Sequence, residues 1–131
     1  MKKVLIVEDE LFTANFLVDI FNTLGFESKI LTEGKPVLTT AREWKPNLIT
    51  LDIMIPSPNG IEVLSELKSD PDTKSIPVFI VSVVANRSDL RDQLATACAI
   101  FEKPFEIKEL IEKVQNVCEV SKPEVEESFT S

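Results

Sequence analysis

Histidine is absent from this 131-residue chain. With it go the commonest general base, the commonest metal ligand and any phosphohistidine role for the chain itself. Cysteine occurs only twice, at Cys98 and Cys118, and the spacing suits neither a zinc site nor a redox pair. Both read as buried thiols of a reducing compartment. No apolar run approaches the roughly 20 residues that a membrane-spanning helix needs. The opening "MKKVLIVEDE" starts like a leader, but its apolar run stops after four residues at an acidic cluster. A secretory core needs about 7–15 apolar residues, so the expectation is a cytoplasmic protein that begins directly with a strand. Positive charge is also scarce. Against 22 Asp and Glu stand 14 Lys and Arg, a net charge of −8, which argues against direct nucleic-acid binding by this domain.

What the chain does contain is a hydrophobic fraction of 44%, normal for a globular protein. At this length the expectation is one domain with a core. The pattern alternates strand and helix, which predicts an α/β fold with a parallel sheet. "KVLIV" (3–7) and "NLITL" (47–51) are continuous apolar runs of the kind covered on both faces, and "IPVFIVSV" (76–83) is a third strong strand. "FESKILT" (26–32) alternates and reads as an edge strand, and "AIFEK" (99–103) as a short one. Between them lie five helical patterns. The first carries Leu17, Ile20, Phe21 and Leu24 and is ended by Gly25; then come 36–44, 60–69, 87–98 with Leu90 and Leu94 inward, and 106–120. Residues 1–120 therefore read as the domain, and the acidic, polar "SKPEVEESFTS" (121–131) as a disordered tail or the start of a linker.

Right-handed crossovers fit five such strands to the doubly wound order 2-1-3-4-5 with helices on both faces. In that order the first and third strands are neighbours, and ligands bind beyond their carboxyl ends. Glu8 and Asp9 follow the first strand and Asp52 follows the third, so three carboxylates reach one crevice. Ser82 ends the fourth strand and Lys103 the fifth. Taken singly, each acid is as well explained as a solvated loop residue or a helix cap, a role open to Asp9 or Glu10. Five polar residues at four strand ends are not. Three clustered acids repel one another unless their charge is cancelled, and one lysine cannot do so fully. An all-oxygen set without histidine or thiolate suits Mg²⁺, with Mn²⁺ as the alternative.

The segments "VLIVEDE", "LDIMIPSPNGIEVL", "IPVFIVS" and "FEKPF", in that order and spacing, resemble a two-component response-regulator receiver domain (flavodoxin-like, CheY-like) from Lys3 to about Val120. The resemblance implies that Asp52 is the phosphoacceptor and that Glu8 and Asp9 form the metal-binding acidic pair. It further implies metal ligation by the backbone carbonyl of Met54, a switch hydroxyl on Ser82 and a phosphate-contacting ammonium on Lys103. Pro104 would shape the turn after Lys103 through a cis peptide bond. The implied donor is a phosphohistidine on a histidine kinase or phosphotransfer protein. The implied output is a conformational switch read by a downstream protein effector or a fused output domain, with slow autodephosphorylation in place of turnover on external substrates.

Three positions depart from the family pattern. Ile100 stands where an aromatic partner of the switch hydroxyl is usual, Val83 where a small residue is usual, and Glu8 where Asp is commoner. Ile100 and Val83 favour the alternative, an interaction module that keeps the pocket without phosphate control; the intact Glu8, Asp9, Asp52, Ser82 and Lys103 oppose it. A flavin-binding flavodoxin needs a Ser/Thr/Gly-rich loop where "EDE" stands, and a haloacid-dehalogenase-type phosphatase needs an acid at Met54.

Overall fold

The structure, a computed structural model, describes residues 1–118. Its elements alternate as β1 (Lys2–Val7), α1 (Leu11–Thr23), β2 (Phe26–Leu31), α2 (Val37–Trp44), β3 (Leu48–Leu51), α3 (Gly60–Ser69), β4 (Val78–Ser82), β5 (Ala99–Glu102) and α4 (Ile107–Cys118). All strand pairs are parallel and their order is β2-β1-β3-β4-β5, as the alternation predicts. β2 lies at an edge with only its first residue buried, whereas β3 and β4 are buried throughout.

Period-two alternation splits the core into two layers. Val4, Ile6, Leu48, Phe79 and Val81 pack beneath α1 and α4; Leu5, Val7, Ile49, Leu51, Val78 and Ile80 pack beneath α2 and α3. Each helix end has its own device. Glu10 caps α1, its carboxylate accepting from the amides of Phe12 and Thr13 at 2.9 Å each. Gly25 follows α1 at φ +82°, a conformation that favours glycine. Asn59 and Glu62 form a reciprocal capping box at the start of α3.

The structure corrects the expected helix over 87–98. Only a single 3₁₀ turn forms there, Ser88–Leu90, followed by further turns, so four α-helices rather than five cover the sheet among the described residues. Helices in proteins are held mainly by burying an apolar face. In this segment Leu94 alone is fully buried, Leu90 is half-buried, and Arg91, Asp92, Gln93, Ala95 and Thr96 are exposed. Cys98 is also exposed rather than buried, because it enters β5 at the open end of the sheet; Cys118 is buried as expected. The expected tail, 121–131, lies outside the described residues. No helix among those described is long and apolar enough to cross a membrane.

Asp70, after α3, accepts from the Arg42 guanidinium of α2 (Nε–Oδ2 2.8 Å) and from the Asp72 amide at 2.8 Å. The Arg42 hydrogen bond holds the Asp70 carboxyl below its ordinary value, against the opposing effect of desolvation. That contribution to stability is complete above the unfolded value, about 3.9, and is lost as pH falls through the lower native value. Asp70→Asn therefore flattens the acid limb of stability against pH, read by urea melts from about pH 5 down to about pH 2. Gly60 is pressed against the loop that follows β3: a Cβ there would lie 2.3 Å from the Asp52 carbonyl oxygen and 2.5 Å from the Ile53 Cα. Gly60→Ala must push that backbone aside and costs about 2 kcal/mol or more in melts. Thr50 is buried, and its hydroxyl has no hydrogen-bond partner among the described residues. Thr50→Val keeps the shape, removes the unpaired hydroxyl and stabilises the fold by about 1 kcal/mol in the same measurement.

Candidate functional site

The parallel sheet delivers its strand ends to one rim. β1 hands over to Glu8 and Asp9, and β3 to Asp52, whose amide donates to the Val7 carbonyl at 3.0 Å. One carboxylate oxygen from each of Glu8, Asp9 and Asp52 lies within 4.8 Å of the others. Glu8 is 1% and Asp52 6% exposed, while Asp9 stands in solvent. From the end of β5, Lys103 reaches across with its Nζ 2.7 Å from Glu8 Oε1 and 3.0 Å from Asp52 Oδ2. The expected gathering of three acids and a lysine is the observed one.

Charge and burial oppose each other here. Desolvation pushes the Glu8 carboxyl above its ordinary value; the Lys103 hydrogen bond pulls it back, and the Asp52 charge pushes it up again. Desolvation works against the Lys103 ammonium too, but its hydrogen bonds to Glu8 and Asp52 outweigh that and raise its pKa, so it stays charged. Three carboxylates and one ammonium leave a surplus of negative charge around a shared space. The donors on offer are all oxygens, with no imidazole or thiolate among them. That chemistry fits a hard divalent cation that keeps part of its water shell.

The supporting backbone is tightly specified. The Met54 amide donates to Asp52 Oδ1 at 3.1 Å, which orients the carboxylate. The Gly60 amide closes the following loop onto the Ile53 carbonyl at 2.9 Å. Within "PSPNG" the Ser57–Pro58 bond is cis, and so is Lys103–Pro104 beyond the lysine. Ser82 is fully buried at the end of β4; its carbonyl accepts from the Lys103 amide at 3.1 Å and its Oγ from the Val84 amide at 3.4 Å. The hydroxyl hydrogen of Ser82 is thus not committed by that contact.

Val83 and Ile100 both face solvent. Phe101, next to Ile100, points to the opposite face of β5 and packs on Phe79, ring centroids 5.6 Å apart. The sequence reading missed a groove of about 450 Å³ beside the acids, lined by Phe12, Phe16, Val83, Lys103, Phe105 and Ile107 among others. Phe12 is 80% exposed. Its signal lies in the spacing: Phe12 and Phe16 are one helical turn apart and off the core-facing stripe of Ala14, Leu17 and Phe21.

Comparison with known proteins places this geometry. The family model described as the response regulator receiver domain matches residues 4–115. The polar-differentiation response regulator DivK of Brucella anthropi is 33% identical over 116 residues, which is 88% of this chain and 94% of that protein. The DNA-binding response regulator MtrA of Mycobacterium leprae is 30% identical over 87% of this chain, and the chain spans only 50% of MtrA's length. Among solved structures, the Mn²⁺-bound form of the response regulator Rcp1 superposes with a TM-score of 0.72 at 29% identity, covering 89% of this chain and 91% of that one. The strand order, the acidic cluster and a match over nearly all the described residues agree: the chain belongs to the response-regulator receiver-domain family.

Proposed function

We propose that Asp52 receives a phosphoryl group from a phosphohistidine on a histidine kinase or phosphotransfer protein. A carboxylate oxygen of Asp52 attacks phosphorus, the P–N bond breaks, and the imidazole leaves with its electron pair. The observation that carries this reading is the placement of the Lys103 ammonium between Glu8 and Asp52, 2.7 and 3.0 Å away, in a cluster that still holds excess negative charge. The nucleophile needs no general base, which suits a chain without histidine. Catalysis is then chiefly positioning and charge neutralisation.

Glu8, Asp9 and Asp52, with the backbone carbonyl of Met54, would hold Mg²⁺ or Mn²⁺. Such an ion supplies positive charge at the transferring oxygens; Rcp1, a relative by structure, is known in a Mn²⁺-bound form. Lys103 adds a second positive charge beside Asp52. The Ser82 hydroxyl, free to donate, turns toward the phosphoryl group and transmits its presence to the backbone of Val83 and Val84. Because Ile100 offers no aromatic ring to move with Ser82, the readout is muted or uses other side chains. Pro104 shapes the turn that presents Lys103. The groove around Phe12 and Phe105 gives the phosphoryl donor an apolar foothold next to the reacting carboxylate.

The signal passes to a downstream protein effector or a fused output domain in the cytoplasm. Hydrolysis of the aspartyl phosphate by water resets the chain. Exposed Val83 and Ile100 favour a second reading, an interaction module indifferent to phosphate. Incubation with a small phosphodonor and Mg²⁺, followed by phosphate-affinity electrophoresis, separates the two. Wild type is labelled, Asp52→Ala is not, and chelation of the metal abolishes labelling. Equal partner binding by phosphorylated wild type and Asp52→Ala would establish the second reading instead.

A further inference from the structure

An open cleft of about 520 Å³ begins at the acidic cluster and is lined by Asp9, Met54, Asn59, Val84, Arg87 and Leu90 among others. Asp9 stands in solvent at one end of it and takes part in no ion pair among the described residues. Arg87 is the only basic residue among those described that line the cleft. Its guanidinium is engaged with Asp89, Nε to Oδ1 at 3.0 Å and Nη2 to Oδ2 at 2.6 Å. Both side chains are more than half exposed, and an exposed pair of this kind contributes little. The cation is therefore held lightly.

Backbone contacts tether Arg87 near the reacting end of the sheet. Its amide donates to the Val84 carbonyl at 3.2 Å, and the Val84 amide to Ser82 Oγ at 3.4 Å. Met54, Val84 and Leu90 give the cleft an apolar floor, on which an arginine stem can lie while its head reaches a charged group. Phosphorylation of Asp52 changes the charge at that end. A carboxylate carrying one negative charge gives way to a phosphoryl group carrying about two. Lys103 cannot answer the change alone, since its ammonium is already shared between Glu8 and Asp52 at 2.7 and 3.0 Å. Phosphoryl oxygens also match the fork of a guanidinium, which meets two of them with parallel N–H bonds.

We propose that Arg87 is a second phosphate-binding cation of this site: it leaves Asp89, turns into the cleft and donates to the phosphoryl oxygens on Asp52. The inference rests on Asp52 being the phosphoacceptor. It asks for rotation of one side chain and for no change in the backbone of the turns. Asp89 is the competitor, holding the guanidinium out of the cleft while Asp52 is a free carboxylate. The exchange favours the phosphoryl group because that group carries about twice the charge of Asp89. Arg87 then covers the phosphoryl group on the side that the cleft leaves open.

Beryllofluoride with Mg²⁺, an anionic acyl-phosphate mimic, tests this on the whole chain. Arg87→Gln should weaken its binding about three- to tenfold, and Arg87→Lys should recover part of the loss. Asp89→Asn, which frees the guanidinium, should tighten binding about twofold. In wild type the Arg87 Nε–H resonance should shift on addition of the mimic as the bond to Asp89 breaks. Mg²⁺ alone should bind Arg87→Gln no more weakly than wild type, because the substitution removes a positive charge; loss of both ligands would mean a damaged site and overturn the proposal. Equal beryllofluoride affinity in wild type and Arg87→Gln, weaker binding to Asp89→Asn, or an Nε–H resonance that stays in place overturns the role of Arg87 while the Asp52 reading stands. Absence of beryllofluoride binding to wild type overturns both.

Discussion

Glu8 and Asp52, both nearly sealed from water, share a single ammonium, and the rest of the site is organised around that shortage of positive charge. Buried ions are expensive unless paired and hydrogen-bonded. Lys103 pairs with two of them, and the third acid, Asp9, relieves part of the repulsion by standing in solvent. Neighbouring backbone does the remainder: the Glu10 amide donates to Glu8 Oε2 at 3.1 Å and the Met54 amide to Asp52 Oδ1 at 3.1 Å. Short connections make this possible. Parallel strands end in step, so residues distant in sequence arrive side by side without a long loop carrying any of them.

The same register ties the site to one edge of the sheet. Ser82 pairs with Glu102 across β4 and β5, and its carbonyl takes the Lys103 amide, so the backbone that carries the hydroxyl is tied to the backbone that carries the ammonium. Behind them runs a chain of rings, Phe79 to Phe101 to Phe105 to Phe16, with successive centroids 5.6, 6.4 and 6.2 Å apart. It joins the core beneath α1 and α4 to the exposed groove. On the other side of Ser82 the chain enters turns that bury little beyond Ala85 and Leu94. A rigid aromatic wall therefore flanks one side of the site and a weakly packed segment the other, which directs any local disturbance toward the latter.

Strand order and the acidic crevice were legible in the sequence because both follow from apolar runs and the residues immediately after them. A run such as "NLITL" has one way to be buried on both faces, and whatever comes next is delivered to the carboxyl end of the sheet. The segment 87–98 misled because helical spacing of Leu90 and Leu94 says what a helix would bury, not whether a partner surface awaits it; here the facing cleft is open. Cys98 misled for a related reason, since the expected helix over 87–98 that would have covered it does not form. The groove was unread because Phe12 and Phe16 only become informative once the core stripe of α1 is known. Thr50 gave no signal at all: a threonine in a strand is ordinary, and its unpaired hydroxyl is a property of its neighbours.

Stability alone offers no reason for three acids to one lysine. A structural ion pair needs matched charge, and apolar residues of similar size in the places of Glu8 and Asp52 would commonly be as stable or more so. Residues that weaken a fold commonly persist where they perform a task, and a task that supplies the missing positive charge fits this cluster. A bound hard cation would do so at once, and would make the cluster tolerant of a further anion that the protein side chains alone would repel. The imbalance that makes this corner unfavourable in isolation is thus the one that a hard divalent cation would offset.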